Sequence, residues 1–169
     1  VTRLQAGHAT VTLRRGRGSD LDALVALERE IFDSARFAGH LISRPSFRRL
    51  LASPSATVIV AAHGGQLSAY MLMLYRSNSK FARMYSIGVA PHARRRGVAR
   101  TLLGAAEKDA VSRGRSGMRL EVRADDRGAI AFYETSGYRR SGHHPGYYRD
   151  RVDALRFEKA LAKEPERRS

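Results

Sequence analysis

Apolar and polar residues alternate at 9–14 (Ala-Thr-Val-Thr-Leu-Arg), the two-residue period of a strand. The period then lengthens. Leu21, Leu24, Val25, Ile31 and Phe32 fall on one face at helical spacing, and Ser19 or Asp20 is placed to cap that helix. A loop or short helices fill 33–53, with Ser43-Arg44-Pro45 as a start signal and Phe47, Leu50 and Leu51 as an apolar edge. Thr57 to Ala62 is a β-branched apolar run, Gly64-Gly65 is a hairpin turn, and Leu67 to Tyr75 is the returning strand. A further strand spans Phe81 to Val89 and stops before Pro91. Gly97 to Arg113 is predicted helical, with Val98, Leu102, Ala106 and Ala110 as its stripe. Met118, Leu120 and Val122 mark the next strand. Asp125 or Asp126 caps a short helix that carries Ala129, Ile130 and Tyr133 and stops at Gly137. Tyr138 to His144 and Val152 to Lys159 are the last two strands.

The resulting order, β-α-α-β-β-β-α-β-α-β-β, describes a mixed α/β (α+β) chain with a mixed sheet. Antiparallel hairpins come first and helical crossovers follow. Residues 1–162 make one expected domain and 163–169 a polar tail, with no internal repeat and no low-complexity block.

Composition changes this picture in one respect. The 169 residues are 43% hydrophobic, enough for a core, but 31 Lys and Arg oppose 16 Asp and Glu, for a formal charge of +15. Of the 31 cationic residues, 27 are Arg. Such a charge suits an anionic partner, either nucleic acid or a small polyphosphate, or it reflects compositional bias alone. The absence of Cys excludes a disulfide scaffold, a thiolate nucleophile and a cysteine zinc site. The longest apolar run, Ala69 to Tyr75, has seven residues where a membrane helix needs about 20. Arginines interrupt residues 1–20, which have no apolar leader core, so a soluble cytoplasmic protein is expected.

The chemistry concentrates in two stretches. In the first, a strand ends at Val89-Ala90-Pro91, a basic loop follows with Arg94, Arg95 and Arg96, and a helix opens at Gly97-Val98-Ala99-Arg100. Unpaired amides and the positive end of the helix dipole make such a start an anion site. Gly97 and Ala99 admit close backbone approach to a phosphate, so a pyrophosphate suits this loop better than a nucleic-acid backbone. The pattern Arg-x-x-Gly-x-Ala after Val-x-Pro resembles the acetyl-CoA signature of the GNAT (Gcn5-related) N-acetyltransferase superfamily. The second stretch, Leu120-Glu121-Val122-Arg123-Ala124-Asp125-Asp126 through Ala129-Ile130-Ala131-Phe132-Tyr133-Glu134 to Gly137-Tyr138, resembles the C-terminal half of the same enzymes without gaps over nineteen residues. Its likeness is to the branch that acetylates ribosomal-protein alanine N-termini.

The resemblance implies the GNAT acyl-CoA N-acyltransferase fold and roles for particular residues. Tyr133 stands at the position of the general acid that protonates the departing thiolate, and Glu121 at that of the general base. Glu121 also alternates with Arg119 and Arg123, so an ion pair with those arginines is its structural alternative. Ile87 and Val89 would offer backbone groups to the pantetheine arm, and Gly88 marks a place for a bulge that opens room for it. The branch commonly has Asn where this chain has Asp126, which leaves Asp126 as a coenzyme contact or as a helix cap alone. Tyr147 and Tyr148 stand in the last hairpin, where the resemblance puts the amine-binding loop.

The implied reaction is direct attack of a primary amine on acetyl-CoA. The acceptor implied is a peptide or protein N-terminal α-amine, with a small-molecule amine as the alternative inside the class. Outside it stand an Arg-rich nucleic-acid-binding module, for which no recognised motif is present, and a regulatory coenzyme-binding module. No metal is expected: His143 and His144 point to opposite faces of a strand, and His8, His40, His63 and His92 are isolated.

Overall fold

A computed structural model describes residues 2–6, 9–32 and 41–161. Position 40, part of the 33–53 segment, His8 and the tail at 163–169 lie outside the described residues. The chain divides into two compact units, Val1–Leu74 with Tyr85–Ala106, and Tyr75–Met84 with Glu107–Ser169.

In the first unit, β1 (Thr2–Ala6), β2 (Ala9–Arg15), β3 (Ala56–His63) and β4 (Gln66–Leu74) follow one another in the sheet as antiparallel neighbours. The Tyr85–Val89 half of β5 (Phe81–Val89) follows β4. β1 is the one element that the sequence pattern does not announce. Gly64 and Gly65 have φ of 55° and 83°, as a two-residue type I′ turn between β3 and β4 requires. β3 and β4 are buried along both faces, which explains their nearly unbroken apolar runs.

Asp20 closes a 3-10 turn at Gly18–Asp20 and accepts from the Arg17 amide at 2.7 Å, while Arg14 pairs with it at 2.7 Å. Helix α1 (Leu21–Phe32) starts immediately after. It lays Leu24 and Leu27 on a core formed with Phe47, Val58, Val60, Tyr70 and Leu72. Helix α2 (Arg44–Ala52) begins at the expected signal, with Ser43 Oγ accepting from the Ser46 amide and Pro45 in the first turn, where a missing N–H costs nothing.

Gly88 has a packing task in this core. A Cβ built there would lie 2.8 Å from Ile31 Cδ1 and 2.9 Å from Tyr70 Cε1. The glycine lets α1 and Tyr70 close onto β5, a different reason for glycine than the bulge expected from the sequence. Gly88→Ala should therefore lower unfolding stability by about 1–3 kcal/mol through overpacking. Thermal or urea unfolding checks this, and an unchanged midpoint would contradict it.

In the second unit, the Phe81–Met84 half of β5 pairs in parallel with β6 (Gly117–Arg123), Arg83 standing beside Arg119. β6 pairs antiparallel with β8 (Ala154–Ala160), and β8 with β7 (Arg139–His144), so the chain's last strand lies inside and β7 outside. The connection that makes β5 and β6 parallel is α3 (Val98–Ser112), whose Val98, Leu102, Ala106 and Ala110 are all buried as the stripe predicts. Helix α4 (Arg127–Thr135) is capped by Asp126 and ended by Gly137 at φ 89°. Parallel and antiparallel pairs together make the mixed sheet expected, preceded by one additional strand. Among the described residues, no helix is long and apolar enough to cross a membrane.

Candidate active site

The first unit contains a basic turn. Pro91–Ala93 form one 3-10 turn, with Ala93 buried as its anchor. Arg95 then takes φ 61° and Gly97 φ 76°, with Arg96 between them outside the left-handed region. Alternation of this kind curls successive amides toward one concave side, a geometry that suits anions. The first helical bond of α3 runs from the Thr101 amide to the Gly97 carbonyl, so the amides of Val98, Ala99 and Arg100 stand outside the helical ladder. A Cβ at Gly97 would meet no atom within 4 Å, so this glycine keeps space clear outside the chain rather than for internal packing. Val98 is buried, and Arg94, Arg95, Arg96 and Arg100 are exposed around the turn.

Arg94 bends back, and its Nε donates to the Val89 carbonyl at 3.1 Å. That bond uses part of the acceptor capacity expected to serve a ligand. Ile87 and Val89 share one half-buried face of β5, while Ser86 and Gly88 turn to the other. The backbone of this turn fits a pyrophosphate on three counts: the left-handed pair of residues, the clear space at Gly97 and the free charge around it.

The second unit, taken by itself, contains the titratable groups. Glu121, on β6, has a side chain 11% exposed. Its Oε2 accepts from Arg83 Nε at 3.2 Å, and its Oε1 lies 3.8 Å from Arg156 Nε. Arg83 also donates to the Tyr147 hydroxyl at 3.1 Å. The ion pair that the sequence suggests therefore exists, but its partners differ. Residues two apart on one strand stand side by side without facing, whereas Arg156 is the residue opposite Glu121 in the β6–β8 register. Arg119 pairs instead with Glu158, its own opposite, at 2.8 Å. Arg123 is buried, gripped by Asp125 and Asp150 and stacked 4.9 Å from the Tyr148 ring.

Tyr133 is 5% exposed, with its ring edge-to-face against Phe132 and Tyr138 at 5.1 and 5.8 Å. Its hydroxyl makes no hydrogen bond with the chain among the described residues. Burial first, then the nearby Asp126 and Tyr148, push its pKa well above the ordinary phenol value. Asp126 Oδ1 accepts from the Ala129 amide at 3.0 Å, which makes it the helix cap. Tyr148 is half-buried, and burial pushes its pKa up to about 12; Tyr147 is exposed and lies 5.2 Å from it edge-to-face. His143 lies 2.7 Å from Asp153, the acidic neighbour that its sequence context did not reveal. Among the described residues, no group of three His, Asp or Glu side chains is placed to hold a metal ion.

The model of the acetyltransferase (GNAT) family matches residues 21–138, a span that runs from α1 through β3, β4, β5, the basic turn, α3 and β6 to just past α4. The chain belongs to this family. A curated relative, N-alpha-acetyltransferase RimI of Mycobacterium tuberculosis, is 36% identical over 107 residues. That match covers 62% of this chain, and the chain spans 65% of the relative's length. Among solved structures, the ribosomal-protein-S18-alanine N-acetyltransferase of Escherichia coli superposes with a TM-score of 0.79 at 23% identity, covering 94% of this chain and 99% of that one. The PaiA N-acetyltransferase of Thermoplasma acidophilum, solved in complex with coenzyme A, superposes with a TM-score of 0.76 at 17% identity over 89% and 99%. These structures share the GNAT fold with this chain.

Arg83, Arg156 and Asp150 are the charged neighbours of Glu121 and Arg123 that the sequence reading does not single out. Each is an ordinary charged residue on or beside a strand, and strand pairing carries Arg83 and Arg156 to Glu121.

Proposed function

We propose that this GNAT protein is an acetyl-CoA-dependent N-acetyltransferase whose acceptor is a primary amine, a peptide or protein N-terminal α-amine. The observation that carries the reading is the turn at 94–98, an anion-shaped backbone ahead of a helix with glycine clearing outside space. The similarity to RimI and to the S18-alanine enzyme supports the α-amine. Residues 1–162 are treated as one functional domain, because the family match runs through both units.

In this reading the amides of 95–100 and the surrounding arginines hold the coenzyme pyrophosphate, and the backbone of Ile87 and Val89 receives the pantetheine arm. Acetyl-CoA would supply the acetyl group as its thioester, and coenzyme A would leave as the thiol. Glu121 takes a proton from the acceptor ammonium, directly or through water. An α-amine, with a pKa near 8, asks less of that base than a lysine near 10.4. The amine nitrogen then bonds to the thioester carbon, a β5 amide steadies the developing oxyanion, and the carbon–sulfur bond breaks. Tyr133 passes its phenolic proton to the leaving sulfur, and the second proton lost from the amine nitrogen returns through water to the Tyr133 phenolate. Tyr147 and Tyr148 line the acceptor side. Asp126 keeps its task as a cap.

Acetyl-CoA at about a hundred times its Kd should stabilise the chain by about 2.7 kcal/mol, a shift of several degrees in Tm. Gly97→Ala, which places a side chain at φ 76°, should cost about 1 kcal/mol and shrink the shift. No shift at millimolar acetyl-CoA would refute the reading. Transfer to small amines but to no peptide would reassign the acceptor.

A further inference from the structure

Three buried side-chain nitrogens in the second unit have no hydrogen-bond partner among the described residues: Arg115 Nε, Arg156 Nε and His144 Nε2. The last two belong to the strands that follow β6 in the sheet, and Arg156 stands directly opposite the proposed base. A buried donor without an acceptor is uncommon enough to need a reason. The positions of Arg156 and His144 are related. Glu121, Arg156 and Gly142 stand opposite one another across β6, β8 and β7, and His144 lies two residues beyond Gly142, on the same face. Gly142 leaves room for Arg156: a Cβ there would touch Arg156 Cβ at 3.4 Å. The His144 ring is 5.8 Å from the ring of Tyr147, whose hydroxyl meets Arg83.

Glu121 is a single carboxylate shared by two guanidiniums, at 3.2 Å from Arg83 and 3.8 Å from Arg156. Arg83 is further engaged with Tyr147, and Arg156 keeps only the longer contact. The acids of the β7–β8 turn are taken: Asp150 by Arg123, and Asp153 by His143 and the Gly146 amide. Exposed Arg139, Arg140 and Arg151 add positive charge around them. A cationic acceptor chain would meet repulsion here, while a carboxylate would give Arg156 a hydrogen-bonded partner in place of the 3.8 Å contact with Glu121.

We infer that the acceptor is an acidic peptide N-terminus, one whose first few residues carry a carboxylate that Arg156 binds, with His144 as a second donor. This rests on the reading of Glu121 as the base for the acceptor amine. The carboxylate that Arg156 reads has two possible sources, an acidic side chain downstream of the amine or the α-carboxylate of a free amino acid, and the inference commits to the first. Charged hydrogen bonds of guanidinium to carboxylate are the strong kind, and the net +15 charge of the chain would steer such a peptide inward.

The test uses the full chain, acetyl-CoA and C-terminally amidated peptides that begin with the same alanine and carry Glu-Glu, Gln-Gln or Lys-Lys at the next two positions. Free glutamate forms a fourth arm. The expected result is kcat/KM about ten-fold higher for the Glu peptide than for the Gln peptide, mostly through KM, with the Lys peptide lowest and the ratio falling as salt rises. Arg156→Gln should bring the Glu-to-Gln ratio toward one, and Arg156→Lys should keep part of it. If these variants do not fold, the wild-type ratios alone decide. Glu and Gln peptides within two-fold of each other, a preferred Lys peptide, or free glutamate preferred over every peptide would overturn the inference while peptide or amine transfer upholds the reading beneath it. Stabilisation by acetyl-CoA without transfer to any amine would remove that reading, and this inference with it.

Discussion

Tyr133→Phe lowers kcat for acetyl transfer by about 100- to 10,000-fold, the range spanned by a lost general acid, while acetyl-CoA stabilises the variant as it does the parent. The substitution suits the question because the structure separates the ring from the hydroxyl. The ring is 5% exposed and wedged against Phe132 and Tyr138, contacts that phenylalanine keeps. The hydroxyl bonds to nothing in the chain among the described residues, so its removal orphans no partner. Burial raises the phenol pKa, with Asp126 adding to the effect. The group therefore stays protonated through neutral and mildly alkaline pH, as an acid must before it gives up a proton. A departing thiolate, with a solution pKa near 8.5 for a simple thiol, needs that proton placed close to it more than it needs a strong acid. Two readouts check this. Steady-state rates should show the loss in kcat with little change in KM for acetyl-CoA. The wild-type rate should also show no fall due to Tyr133 ionising below about pH 10, the unperturbed phenol value. A variant with undiminished kcat would remove Tyr133 from the mechanism.

The second large effect is on stability. Glu28 is 2% exposed in α1, where Oε1 accepts from the Ile42 amide at 2.9 Å and Oε2 from the Tyr70 hydroxyl, which also contacts Ser86 at 2.8 Å. One carboxylate thus ties together α1, β4, β5 and the approach to α2. Glu28→Leu leaves the Ile42 amide buried without a partner and Tyr70 with Ser86 alone, a cost of about 2–5 kcal/mol. Glu28→Gln keeps one acceptor of the two and should cost less. The sign of the pH effect follows from burial, which raises the Glu28 pKa against the two opposing hydrogen bonds. The folded state then holds the proton at pH values where the unfolded state has lost it. This group's contribution is full below the unfolded value and declines as pH rises through the folded one. Asp20, whose pKa is lowered by its bond to Arg14, acts in the opposite sense, and its contribution is lost as pH falls. The difference in unfolding free energy between wild type and Glu28→Gln, measured by urea titration, should therefore shrink as pH rises from about 4 upward. A difference independent of pH would show that Glu28 titrates alike in both states.

Glu28 also shows where sequence reading stops. The periodicity that marks α1 uses Leu21, Leu24 and Ile31, and a glutamate beside that stripe looks like an ordinary polar position. Its partners come from residues 14, 42 and 58 positions away, Ile42, Tyr70 and, through Tyr70, Ser86. The same holds for Glu121: its alternation with Arg119 and Arg123 suggests an ion pair, but strand register gives it Arg83 and Arg156. Gly88 is visible as a glycine in a strand, yet its reason, the close approach of Ile31 and Tyr70, requires α1 to be in place. β1 was missed because Thr2–Ala6 has too few apolar positions to set a period and forms by pairing with β2.

What the sequence determines alone is whatever contiguous residues build. The seven patterned strands, the capped helices and the turn at 94–98 follow from local spacing, glycine and proline, and helix-end amides, because a turn's shape depends on the φ and ψ of the residues in it. That is why the basic turn was legible from Arg94 to Arg100. Tertiary structure decides which charges face each other. Strand order and register, set by how the apolar faces pack, choose the neighbours of Glu121 and leave Arg156 Nε and His144 Nε2 without hydrogen bonds among the described residues. Those neighbours are assembled from parts of the chain that no local pattern connects.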